Sequence, residues 1–223
     1  MLKRLKIIIW GFLLCSLLLV GPVDAIGAAI TKCQTITTPG LHVLVNNLVT
    51  QGTCIVIASD FVTLELAGFT IRGNGTGMAI TDGNTGRKGI TVRNGVVTNF
   101  DFGVDLALSN SIVVEGVKAI GNSNAGFDVG TFCILINNIA EGNGTGIHGD
   151  AFCNIINNIS ASNQDSDIAC GPDCTIVNNT VFSNPGVISI TNGFTGGVVR
   201  SNTVSGGCIM ASGTVIDNAG PLC

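Results

Sequence analysis

The sequence has no tyrosine and a single tryptophan, Trp10, which lies in an apolar N-terminal stretch. Beyond that stretch there is no indole or phenol ring, so a conventional aromatic platform for stacking sugars is not expected. Charge is scarce as well, at 11% of the 223 residues. Only two histidines occur, His42 and His148; they stand far apart and make no triad with a serine nucleophile. No finger-like spacing of Cys and His is present, and no metal centre is expected from one. Apolar residues do not recur at helical spacing, which excludes helical bundles and alternating α/β folds.

Long hydrophobic runs are limited to one. Residues 1–25 combine Lys3, Arg4 and Lys6, an apolar run from Ile7 to Val20, and the small-residue pattern Val23-Asp24-Ala25, the layout of a cleaved signal peptide. That run is shorter than the roughly 20 residues a spanning helix needs, so no membrane attachment is expected after cleavage. Taking Lys3, Arg4, Lys6 and Asp24 from 10 cations and 14 anions leaves seven and thirteen, a formal charge of −6. Nucleic acid is therefore not expected as a partner, because it requires clustered cations. A secreted, periplasmic or cell-surface location follows, with residues 26–223 forming one domain.

What is present is a repeat. INNIAEGNGTGI starts at Ile136, INNISASNQDSDI at Ile156, VNNTVFSNPGVISI at Val177 and RSNTVSGGCI at Arg200. Anchored on the second Asn of each pair, Asn138, Asn158, Asn179 and Asn202 are spaced by 20, 21 and 23, and Gly116 and Gly95 continue the series backwards. Between Gly, Asn, Asp and Ser punctuation lie short β-branched runs such as Ile90-Thr91-Val92. A unit of that size cannot bury its apolar face alone, but stacked units make a continuous core. The expected fold is all-β: a single-stranded right-handed parallel β-helix, a solenoid of coils of about 22 residues. Residues 26–54 are expected to cap its N-terminal end.

The Gly and Asn positions are read as corners needing a left-handed backbone, with Asn side chains also stacking as ladders. Once Cys15 leaves with the signal, eight cysteines remain, an even number in an exported chain, which favours disulfides. Cys133, Cys153 and Cys174 form one column, so a neighbouring pair there can be bridged. Cys33 with Cys54 and Cys208 with Cys223 are read as end staples. Cys170 completes the set without an assigned partner.

The opening Cys33-Gln34-Thr35-Ile36-Thr37 with Pro39-Gly40, the segment from Val62 to Ile71, and the NN-containing coils resemble the pectate-lyase-like superfamily of right-handed β-helices. The resemblance spans nearly the whole mature chain and implies the fold, whereas activities across that superfamily range from lyases and hydrolases to adhesins.

Alternation along Gly103-Val104-Asp105, Gly126-Phe127-Asp128 and Gly146-Ile147-His148 turns Asp105, Asp128 and His148 outward on consecutive coils, with Asp150 on the same side. Two carboxylates at coil spacing would raise one another's pKa and supply an acid and a base, so Asp105, Asp128 and His148 are the candidate catalytic residues and Asp150 a binding residue. Ile147-His148-Gly149 loosely matches the Gly-His-Gly of polygalacturonases, but that family's Asn-Thr-Asp, Asp-Asp and Arg-Ile-Lys motifs are missing. A pectate lyase resemblance would place calcium on Asp105, Asp128 and Asp150. It lacks a nearby basic residue, since Arg93 and Arg200 share a different column. No organic cofactor is implied. Asp165 and Asp167 are expected in a turn, capping backbone donors, and Phe132, Phe152 and Phe182 are expected to stack in the core.

The low charge and short turns favour a non-catalytic structural or recognition role at the cell surface or periplasm. A lyase or hydrolase acting on a polyuronide-type glycan is the alternative. The expected partner is an extracellular polysaccharide or a surface protein, and the expected state is a monomer.

Overall fold

A computed structural model describes residues 27–184, 188–193 and 196–223. The signal segment expected over 1–25 lies outside the described residues. Among the described residues all regular elements are strands, and every pairing between them is parallel, giving a solenoid of about eight turns at roughly 21-residue spacing. Most coils contribute three strands. Ile134–Ile136, Ile139–Glu141 and Thr145–Gly149 make one coil, and Asn154–Ile156, Ile159–Ala161 and Ser166–Cys170 stack on them in register. Two sheets result, one of 16 strands and one of nine. Residues 27–54 supply the first strands of both: Ala28–Ile30 pairs with Gly40–Leu44, and Gln34–Ile36 pairs with Ile55–Ile57.

Inward residues form unbroken columns, for example Val92, Val114, Leu135, Ile155, Ile176 and Val199, all at 0% exposure. The Asn-Asn pairs divide the labour between their two members. The first, at Asn137, Asn157 and Asn178, adopts φ of 58°, 56° and 57° and turns the corner. The second points into the core, where Asn138, Asn158, Asn179 and Asn202 are each 1% exposed. Asn138 donates both its backbone N–H and its Nδ2 to Asn158 Oδ1, at 2.8 and 3.1 Å, and a second Nδ2 bond to Val114 O. The pattern repeats to Asn218. Its first rung is Val117 N to Asn138 Oδ1. Gly116 is therefore one residue out of the anchor column: it pairs with the corner position, at φ 63°, and Val117 holds the ladder place.

A second ladder runs through Asn122, Asn143 and Asn163, each fully buried. Together with the backbone of the next coil it explains the glycines at Gly103, Gly126 and Gly146, where a Cβ would come within 2.7 Å of the carbonyl oxygens of Gly126, Gly146 and Asp167. A Cβ on these would lie 3.1, 2.9 and 2.6 Å from the Nδ2 of Asn122, Asn143 and Asn163. One coil later the glycine is replaced by Asp167, and the ladder ends there. Asp167 belongs to the strand Ser166–Cys170 and is fully buried, rather than capping a turn. Its carboxylate takes the amide proton that a further Asn would have accepted, from Asn163 Nδ2 at 2.7 Å, and it also accepts from Ser160 and Ser183.

The aromatic residues depart from expectation too. Phe132, Phe152 and Phe182 are 58%, 48% and 52% exposed, not in the core. The reason lies in the neighbouring column: Cys133 and Cys153 take the inward places, so alternation turns Phe132 and Phe152 out at corners with φ of 55° and 62°. A left-handed corner costs a non-glycine residue about 1–2 kcal/mol. The two rings stack at 5.0 Å, a contact worth about 0.5–1.5 kcal/mol that offsets part of that cost.

Four disulfides join Cys33 to Cys54, Cys133 to Cys153, Cys170 to Cys174 and Cys208 to Cys223. Both end staples and one bridge within the cysteine column match the sequence reading. Cys174 leaves its column to close a short loop with Cys170. Four disulfides indicate an oxidising compartment.

The two members of one Asn-Asn pair are expected to respond very differently to substitution. Asn158→Ala orphans two donors of Asn138, and each buried orphan costs about 1–3 kcal/mol. Asn157→Gly keeps the corner and is expected to be neutral within about 0.5 kcal/mol. Urea unfolding midpoints of the two variants measure the contrast; equal midpoints would contradict it.

Candidate functional site

The nine-stranded sheet carries the ionisable column. Thr81, Asp105, Asp128, His148, Ala169 and Thr191 are register partners on successive coils. The three residues singled out from the sequence are thus brought together, but not equivalently. His148 Nδ1 and Asp128 Oδ1 are 2.8 Å apart, with side chains 41% and 25% exposed. Asp105 is buried at 8% exposure and makes one long bond, from Ala107 N at 3.4 Å. Asp150 follows the His148 strand and acts on the imidazole through its charge.

Asp128 and His148 line an open depression of about 480 Å³, together with Phe102, Asn124, Ala125, Thr145, Asp165, Ser166 and Ala169. Asp105 and Asp150 are not part of that lining. Asn124, Thr145 and Ser166 were not flagged by the sequence reading. Their signal is positional: each lies just before or at the start of the strand bearing the column, a few residues before the outward residue on the same strand.

His148 is held above the usual histidine range, first by its hydrogen bond to Asp128; the charges of Asp128 and Asp150 add to this, and burial opposes it. Asp105 is held above the usual carboxylate range chiefly by burial. The Ala107 N–H lowers it in part, and the charges of Asp128 and Asp82 raise it further.

With Nδ1 tied to a carboxylate, the imidazole is oriented and Nε2 remains for a ligand. Among the described residues no Ser, Thr or Cys side chain bonds to that nitrogen. Nor do three His, Cys, Asp or Glu side chains converge to hold a metal ion among those residues. The depression has carboxylates at Asp128 and Asp165 and no Lys or Arg in its lining.

No family profile matches the chain, and no curated protein or solved structure matches it either.

Both shifted groups bind a proton more tightly in the folded chain than in the unfolded one. Each contributes stability that is complete below its unfolded value and is lost as pH rises through the folded one. For Asp105 the loss begins from 3.8, and for His148 from 6.5. The thermal midpoint of the wild type is therefore expected to fall as pH rises above 6.5, modestly because the imidazole is partly exposed. Asp128→Asn should flatten that part of the profile. An unchanged slope in the variant would show that the pair does not set it.

Proposed function

We propose that the protein is an exported recognition solenoid that binds an extended, hydroxyl-rich extracellular chain across the depression beside His148, without breaking it. The observation that carries this reading is the Asp128–His148 pair itself. It is a single oriented imidazole in an open depression with hydroxyl and amide neighbours, Thr145, Ser166 and Asn124, and with Asp165 as a second carboxylate in the lining. Hydrogen-bonding groups spaced by coil along a rigid sheet suit a repeating polymer, because coil spacing of about 4.8 Å is close to the spacing of polar groups along such a chain. The exposed Phe132–Phe152 stack does not change this. Those rings stack on one another at 5.0 Å and do not line the depression.

A lyase or hydrolase acting on a polyuronide-type glycan is the second reading, favoured by the imidazole being oriented as a general base would be. The acidic lining weighs against that substrate, since Asp128 and Asp165 repel a polyanion and no cation offsets them. Calcium bridging would relieve the repulsion.

Affinity electrophoresis on neutral and acidic polysaccharides, with and without calcium, separates the two readings when run beside assays for new reducing or unsaturated ends. The recognition reading expects retardation by at least one neutral glycan, weakened about tenfold in His148→Ala, with no new ends. Chain cleavage abolished by His148→Ala would establish the enzyme instead.

A further inference from the structure

Four cysteines of the middle coils form one buried cluster. Cys133, Cys153 and Cys174 occupy a single inward column between Ile112 and Gly197, at 1%, 0% and 0% exposure. The two neighbours of Cys153 stand in the same relation to it. Asn154 N donates to Cys133 O and Thr175 N donates to Cys153 O, both at 2.8 Å, so the backbone that carries the Cys133–Cys153 bridge is repeated one coil on. The Cα atoms of the bridged pair are 4.5 Å apart. Strand spacing of about 4.8 Å puts those of Cys153 and Cys174 within the range that a disulfide accepts. Three cysteines in a column make one bridge and leave one over, and the one left over, Cys174, is bonded to Cys170. Cys170 follows Gly149 by one coil in the nine-stranded sheet. A Cβ at Gly149 would lie 3.3 Å from Cys153 Sγ and 3.4 Å from Cys133 Sγ, so this place faces the cysteine column, and Cys170 is the next residue in it.

We propose that the cluster is a redox-sensitive device in which the column bridge moves by one coil: when an external dithiol reduces Cys170–Cys174, Cys174 takes Cys153 from Cys133. In the first step the dithiol is oxidised to its disulfide, and Cys170 and Cys174 are left as thiols. In the second, Cys174 gives up its proton and its thiolate attacks Cys153 Sγ. The Cys153–Cys174 bond forms, the Cys133–Cys153 bond breaks, and Cys133 leaves as a thiolate that takes up the proton. Two thiols and one disulfide stand on each side of that step, so it needs no further oxidant or reductant. The column sets the three residues in a row, with Cys133 and Cys174 on opposite sides of Cys153, so the attacking and leaving residues stand on opposite sides of the sulfur that is attacked. The loop between Cys170 and Cys174 is the entry point. Pro172 and Asp173 are exposed, and Cys170 is the most accessible of the four cysteines at 5%. Either bridge ties two adjacent coils, so the core keeps one staple in both states. After the exchange it joins the coil of Asn154 to that of Thr175 instead of to that of Ile134.

Titration of the native, disulfide-bonded chain with dithiothreitol is the test, with quenching by acid and N-ethylmaleimide. Cleavage at Asp and Glu then separates all four cysteines for mass spectrometry. A Cys153–Cys174 cross-link is expected, with maleimide on Cys133 and Cys170. Its level should lie within about tenfold of the Cys133–Cys153 form, because the two bridges share one backbone relation. Its formation should quicken as pH rises toward about 8.5, where thiolate becomes abundant. Cys170→Ser gives a second reading without reductant. Its free thiol is expected on both Cys174 and Cys133, and thermal unfolding establishes that the variant is folded. Label confined to Cys170 and Cys174 in the reduced wild type overturns the proposal. So does a middle cluster that stays oxidised until the chain unfolds, or a free thiol on Cys174 alone in the variant.

Discussion

A coil of this solenoid cannot satisfy itself. Its strands run parallel to their partners, so every backbone hydrogen bond of the sheets goes to the coil above or below, and its inward residues touch chiefly neighbouring coils. The buried amide ladders follow from the same constraint. At each corner the chain enters the core with backbone groups that no strand pairs, and an Asn side chain from the next coil supplies the missing acceptor. Because buried polar groups left unpaired are costly, one Asn fixes the register of the next coil. Repeat length, corner residues and strand alternation are consequences of that stacking rule.

The fold was legible because the rule writes itself into the sequence at fixed intervals. An Asn pair recurring at 20, 21 and 23 residues, with β-branched runs between, admits few architectures. The second ladder was equally legible but unread: Gly121-Asn122, Gly142-Asn143 and Ser162-Asn163 repeat the same grammar of a left-handed residue followed by a buried Asn. Burial of individual side chains was harder to read. Phe132 and Phe152 look like core residues by composition, yet local alternation gives the inward place to the cysteine that follows each. Asp167 looks like a turn residue, yet it occupies a glycine column and closes a ladder. Composition is overruled in both cases by the column to which a position belongs.

The same logic limits what the sequence tells about the site. Column geometry alone places Asp105, Asp128 and His148 on one face, and the structure keeps that register. It does not set depth, and depth decides chemistry. Asp105 is buried, so the expected pair of carboxylates becomes instead an Asp–His pair with a second, buried acid one coil away. Polar residues on a repeating scaffold acquire partners by stacking, which makes a pair at coil spacing a structural outcome first and a ligand site second.

Native-state hydrogen exchange tests the stacking rule most directly. The backbone amides of Asn138, Asn158 and Asn179 each donate to an Asn side chain of the following coil. They are expected to be among the slowest in the molecule, exchanging only through opening of the solenoid. Exchange of these three amides as fast as that of exposed corner amides would mean that the ladders do not hold the coils together.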